Sequence, residues 1–179
     1  MKTKLAALFC TFCFIMPFMA FAELPLGEAP PQIVLEGDDG GRLDGSAWKS
    51  SELTGTVFIV IYADPDEGDT TDYNADAIKK MKLPEGKTKS IAIINMDATW
   101  YPNSIIASKL EDYQKEYKDT LYIKDMKKML VKKWNLKDDS SDIVVVAPDG
   151  KVIFSRDGKL SDEDKQVMKA AILKSIPSE

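Results

Sequence analysis

The run Val57-Phe-Ile-Val-Ile-Tyr-Ala63 constrains this chain more than any other stretch. A continuous apolar run of this length, rich in β-branched and aromatic residues, reads as a strand buried on both faces. Such a strand belongs at the centre of a parallel or mixed α/β sheet, because helices must cover both of its sides. The run breaks at Pro65 and Gly68. A helix-period segment follows from about Thr71 to Lys82, with Tyr73, Ala77, Ile78 and Met81 on one face. In an open α/β sheet, the loop leaving the carboxyl end of a central strand is where ligands and chemistry are placed. This loop holds four acids, Asp64, Asp66, Glu67 and Asp69.

The remaining elements build outward from that strand. Ile33-Val-Leu35 and Arg42-Leu43 flank Gly37-Asp-Asp-Gly-Gly41, which predicts a hairpin. Trp48 and Leu53 read as packing residues. Ser90 to Met96 is a second buried strand, followed by a helix over Ser104 to Lys118 with Ile106, Leu110, Tyr113 and Tyr117 on one face. Leu121-Tyr-Ile123 is a short strand. Asp125 is placed to cap a helix carrying Met126, Met129, Leu130 and Trp134. Ile143 to Ala147 and Val152 to Ser155 should pair across Pro148-Asp-Gly-Lys151. Ser161 and Asp164 open a terminal helix with a capping box, its inward face being Val167, Met168, Ala171, Ile172 and Ile176.

Residues 1–22 have the layout of a cleaved secretory signal: Lys2 and Lys4, an apolar core from Leu5 to Phe18, and Ala20-Phe-Ala22 before Glu23. The core is short for a membrane span and no stop-transfer charges follow it. Phe9 and Phe12, rather than small residues, precede Cys10 and Cys13, which argues against lipidation. Both cysteines of the chain lie in this segment, and the sequence has no histidine. Residues 23–179 therefore form one domain for an exported, periplasmic compartment. They have no thiol for redox work or nucleophilic attack, no Cys/His zinc set and no Ser-His-Asp triad. Without Lys2 and Lys4 the 24 basic residues become 22 against 29 acidic, a net charge of −7. A chain this acidic is poorly suited to nucleic acid, and no membrane insertion is expected after cleavage.

A βαβ pair, further helices, a β-hairpin and a terminal helix follow the order of a thioredoxin-like fold. From Leu121 onward the chain resembles peroxiredoxin-like and TlpA-like proteins. Trp48, the Leu83-Pro84 break, Asp149-Gly150 and Asp157-Gly158-Lys-Leu160, with the signal segment, look like the YtfJ family. The resemblance implies a periplasmic thioredoxin-like α/β fold with a mixed central sheet flanked by helices. It carries no assigned function. Laid on this chain, the two cysteines of a thioredoxin-like Cys-x-x-Cys fall at about Asp66 and Asp69, and the proline of the substrate edge falls near Ser141. Neither thiols nor proline are present there.

Several readings compete at this end of the sheet. Asp64, Asp66 and Asp69, with Glu67 and Asp72, have the residue types of a calcium or magnesium site. The spacing is not that of an EF-hand, since Ala75 stands where the glutamate is needed. The same acids suit the positive end of the following helix, where each contributes roughly 0.3–1 kcal/mol and Thr70 or Thr71 is able to cap; this reading is preferred. A paired-carboxylate hydrolase would draw on Asp66, Asp69, Asp97 and Asp142. Trp100 and Tyr101, leaving the neighbouring strand, either cap the core or offer a binding surface to a periplasmic protein or peptide. Lys124, Lys127, Lys128, Lys132 and Lys133 read as a solvated helix face. Taken together, the expectation is a binding module without a cofactor. Its cleft is bounded by Asp64–Asp69, residues 99–103 and residues 139–142, with Ser141 on its wall.

Overall fold

The structure, a computed structural model, describes residues 23–176. The expected signal segment, residues 1–22, lies outside them. Twelve regular elements follow one another. They are β1 (Val34–Leu35), β2 (Gly40–Arg42), β3 (Trp48–Lys49), β4 (Val57–Ala63), α1 (Gly68–Lys80) and β5 (Thr88–Asn95), then α2 (Asn103–Glu116), β6 (Thr120–Asp125), α3 (Met129–Trp134), β7 (Ser141–Val146), β8 (Val152–Asp157) and α4 (Asp162–Ser175). Six strands form one mixed sheet in the order β2-β6-β5-β4-β7-β8, and β1 pairs with β3 in a separate two-stranded ribbon.

The apolar run sits where its sequence requires. β4 is parallel to β5 and antiparallel to β7, so both of its edges are paired and all but Ile61 of its residues are buried. Its alternating side chains feed two cores. Phe58, Val60 and Tyr62 join Leu35, Trp48, Leu53, Leu130 and Trp134 on one face. Val57 and Ile59 meet Met81, Leu160, Met168 and Ile172 of α4 and its surroundings on the other. Trp48 and Leu53 are packing residues as expected, at 0% and 1% exposure. The β7–β8 hairpin and the Ser161/Asp164 capping box also form as read.

Several expectations are corrected. The segment around Gly37–Gly41 is not a hairpin: β1 goes to β3, while β2 crosses to pair with β6 at the sheet edge. The close approach of β2 to β6 explains Gly40. Gly40 has φ +122°, and a Cβ there would lie 2.0 Å from the Lys124 carbonyl oxygen. That leaves room only for glycine. Val167 is 51% exposed, not inward, so α4 presents Met168 and Ile172 as its buried stripe. Met126 precedes α3 rather than belonging to it, and Tyr117 faces solvent as the cap of α2.

Candidate functional site

The carboxyl ends of β4 and β5, the parallel pair, deliver two loops to the same rim. A third, residues 135–140, arrives from α3. Asp64 closes the first: its carboxylate accepts the backbone N–H of Asp66 at 2.8 Å and caps the turn Pro65–Glu67. Its own N–H donates to the Ser140 carbonyl at 3.0 Å, which locks the first loop against the third. Asp64 is only 3% exposed, and burial, with Asp66 nearby, raises its carboxyl above the usual range. Thr70 and Thr71 do not cap α1. Thr70 donates to Glu67, and Thr71 donates to Ser141 Oγ at 3.1 Å. A proline-led turn intervenes between strand and helix; Asp64 caps that turn, and α1 begins after Glu67 without a side-chain cap.

Asp66 and Asp69 are exposed and Glu67 is half-buried, while Ser141 is fully buried. Ser141 is thus a strut between β7 and α1 rather than part of an open wall. Asp142, offered as one of four converging acids, is also buried, whereas Asp66, Asp69 and Asp97 face outward. Among the described residues, no group of three or more His, Cys, Asp or Glu side chains is placed to hold a metal ion. Asp64 has turned its carboxylate to its own backbone.

Trp100 and Tyr101 do not cap the core. They are 80% and 46% exposed and stack with centroids 4.4 Å apart and planes 22° from parallel. The pair is anchored from behind. Thr99 Oγ1 donates to Asp66 at 2.9 Å and accepts the N–H of Tyr101 at 3.3 Å. Ile105, in the first turn of α2 a few residues on, is also exposed, at 58%. The sequence pattern puts Ile106 on the inward face and gives no role to Ile105 beside it. Adjacent helical positions differ by about 100°, so one of the two had to face out. Exposed Asp66, Asp69, Asp97 and Asp139 give the same rim its negative charge. Two shallow concavities lie elsewhere: about 330 Å³ between α1 and α4, and about 570 Å³ between Leu26, the β7–β8 turn and the end of α4.

Beneath the rim runs a feature the sequence did not announce, a polar row across the sheet. Asp125 pairs with Asn95, and Tyr62 with Asp142, which in turn pairs with Asp157. Alternation of the pleat puts all five on the α3 face. Asp125, fully buried, accepts the N–H groups of Lys127, Met129 and Leu130 and the Tyr62 hydroxyl at 3.2 Å. It caps α3, as its sequence position suggested, and burial with Asp125 alongside pushes the Tyr62 phenol well up. Asn95 donates to Asp138, which pairs with Lys128 at 2.7 Å. Burial opposes ionisation of Asp138, yet the Lys128 and Asn95 bonds hold it below the usual value. Of the lysines read as a solvated face, Lys128 is spent here and Lys127 meets Asp39.

Residues 33–174 match the model of a family described as "Bacterial protein of unknown function (YtfJ_HI0045)". The chain belongs to the YtfJ family. The uncharacterized protein YtfJ of Escherichia coli K12 is 30% identical over 167 residues, covering 86% of this chain and 89% of that one. An uncharacterized Haemophilus influenzae protein is 28% identical, over 94% and 95% of the two chains. Solved structures share the architecture. BsSco, of the Sco family of cytochrome c oxidase assembly proteins, superposes with TM-score 0.56 at 15% identity, over 84% of this chain and 98% of that one. The exposed lipoprotein thioredoxin Etrx1 of Streptococcus pneumoniae gives 0.53 at 13%, over 81% and 97%. The fold is thioredoxin-like. In this YtfJ member the rim that follows the first central strand carries Asp66 and Asp69 in an acidic, aromatic-flanked setting.

Proposed function

We propose that this protein is an exported binding module that uses the thioredoxin scaffold without thiol chemistry. Residues 23–179 contain no cysteine, so the scaffold has no group for disulfide exchange. The observation that carries the binding reading is the Trp100–Tyr101 stack, held out from the body with Ile105 and anchored through Thr99 to Asp66. Aromatic side chains exposed on a pre-organised support are characteristic of interface hot spots. The acidic margin selects for positive charge by steering and by suppressing wrong partners. The occupant that fits is a segment of a periplasmic protein, or a free peptide, carrying Lys or Arg beside apolar side chains. Export by the residue 1–22 signal places the module with such partners; among the described residues no helix is long and apolar enough to cross a membrane.

The test is truncation of the shelf. Trp100→Ala removes an exposed side chain, so folding stability should stay within about 0.5 kcal/mol. Affinity for a cationic, apolar peptide should fall by about 2 kcal/mol or more, roughly thirtyfold. Unchanged affinity in the folded variant refutes the assignment of the shelf.

A further inference from the structure

Residues 23–28 lie along β8, the edge strand of the sheet, and run antiparallel to it. Leu24 N–H donates to Ser155 Oγ at 3.0 Å, Gly27 N–H donates to the Val152 carbonyl at 2.8 Å, and Val152 N–H donates to the Glu28 carbonyl at 2.9 Å. The Glu23 carboxylate meets Arg156 Nη1 at 2.7 Å. Continued back by residue count, this descending register brings Glu23 opposite Arg156, next to Asp157 at the end of β8. The segment also blunts an edge that would otherwise present unpaired backbone groups.

The end of β8 is short of positive charge. Asp157 pairs with Asp142 of β7, which is 1% exposed and whose Oδ2 has no hydrogen-bond partner among the described residues. A buried carboxylate oxygen without a partner is costly. The groups around Asp142 are Asp157 on β8, Glu23 on the N-terminal segment, Tyr62 on β4 and Lys137 on the loop before β7. Among the described residues, each of these groups that could partner it is engaged elsewhere. Lys137 Nζ meets Asp157 at 3.1 Å, Arg156 is shared between Glu23 and Asp164, and the Tyr62 hydroxyl donates to Asp125. The Lys137 N–H reaches only Asp142 Oδ1, at 3.4 Å. Burial, with Asp157 alongside, pushes the Asp142 carboxyl up to about 8.

We propose that removal of residues 1–22 completes this site, because it creates an ammonium group at Glu23 that serves the Asp142–Asp157 carboxyl pair as counter-ion. The proposal rests on the export reading given above. In the step itself a peptidase adds water across the Ala22–Glu23 amide. Ala22 leaves with the new carboxylate, and Glu23 keeps the nitrogen, which takes up a proton at neutral pH because an α-amino group has a pKa of about 7.7–8.0. As an uncleaved amide the same nitrogen has no charge. Processing therefore both frees the protein and supplies the missing cation that pins residues 23–28 over the sheet edge.

The experiment compares the chain beginning at Glu23, with a free amine, against the same chain beginning at Ala20; both contain every described element. Asp142 is followed by carboxyl-carbon NMR titration, and melting is measured at pH 4 and pH 7. The expected result is an Asp142 acid constant at least about tenfold larger in the free-amine form, a shift of one pKa unit or more. That form should also melt higher at pH 7 and equally at pH 4, and Asp142→Asn should abolish the difference. Equal titration and equal melting, or a difference that persists in Asp142→Asn, overturns the proposal. The N-terminus of the exported protein, read by mass spectrometry, tests the premise separately. Glu23 upholds it, and any other first residue overturns the proposal by failure of the cleavage rather than of the pairing.

Discussion

Thr99 donates its hydroxyl hydrogen to Asp66 at 2.9 Å, tying the loop that leaves β4 to the loop that leaves β5. These are the loops at the carboxyl ends of the parallel pair β4 and β5. The same Thr99 oxygen accepts the N–H of Tyr101, so the acidic loop and the aromatic shelf are one unit. Asp66 thereby has a positioning role that does not require it to ligate anything.

Asp125 should be a principal determinant of stability outside the apolar core. Asp125→Ala orphans three backbone N–H groups and the Tyr62 hydroxyl, of which the Leu130 N–H and the Tyr62 hydroxyl are buried. The expected loss is roughly 3 kcal/mol or more by denaturant titration, with α3 released first. Asp125→Asn, which keeps an acceptor, should lose less.

Asp142 sets a pH dependence of known sign. Its folded-state pKa, about 8, lies above the ordinary carboxyl value of 3.8, so the folded state holds the proton more tightly than the unfolded chain. Its contribution to stability is fully present below pH 4 and is lost as the pH rises through 8. Asp142→Asn should match the wild type at pH 4 and melt at a higher temperature at pH 8. In the chain with a free Glu23 amine the gap at pH 8 should be narrower, because an ammonium group favours the carboxylate.

Divalent cations should leave the melting temperature unchanged. Saturating a native-state site a hundredfold above Kd would raise stability by about 2.7 kcal/mol, a shift easily seen. Asp64 is already committed to the Asp66 N–H, and the first turn of α1 behind these acids repels cations. A rise in millimolar calcium or magnesium that disappears in Asp66→Asn and Asp69→Asn would show a site that these side chains assemble only when the ion is present.

Where the sequence was legible, one physical signal dominated each element. The unbroken apolar run of β4, the Pro148-Asp149-Gly150 turn and the Ser161/Asp164 box each allowed one local structure. The Gly37–Gly41 stretch was misread because turn chemistry resembles a hairpin whether or not its flanks pair with each other. Gly40 answers instead to the distant Lys124 carbonyl, a contact no local rule encodes. The polar row was hidden for a related reason. Tyr62, Asn95, Asp125, Asp142 and Asp157 lie on five strands, and only strand order and register place them side by side. Residue type leaves Trp100 and Tyr101 open to burial or exposure alike, since aromatic rings suit either setting.

The most direct test of the account uses Trp100 itself. Trp48 and Trp134 are buried at 0% and 1% exposure, whereas Trp100 is 80% exposed, so a solvent-sensitive change in indole emission reports on the shelf. The chain beginning at Glu23 would be titrated with matched extended peptides that are cationic and apolar, acidic and apolar, or cationic without apolar residues. The account predicts a saturable blue shift with the first set alone, weakened in Tyr101→Ala and Ile105→Ala and unaffected by chelator. No response to any set, or an equal response to the acidic peptides, would contradict it.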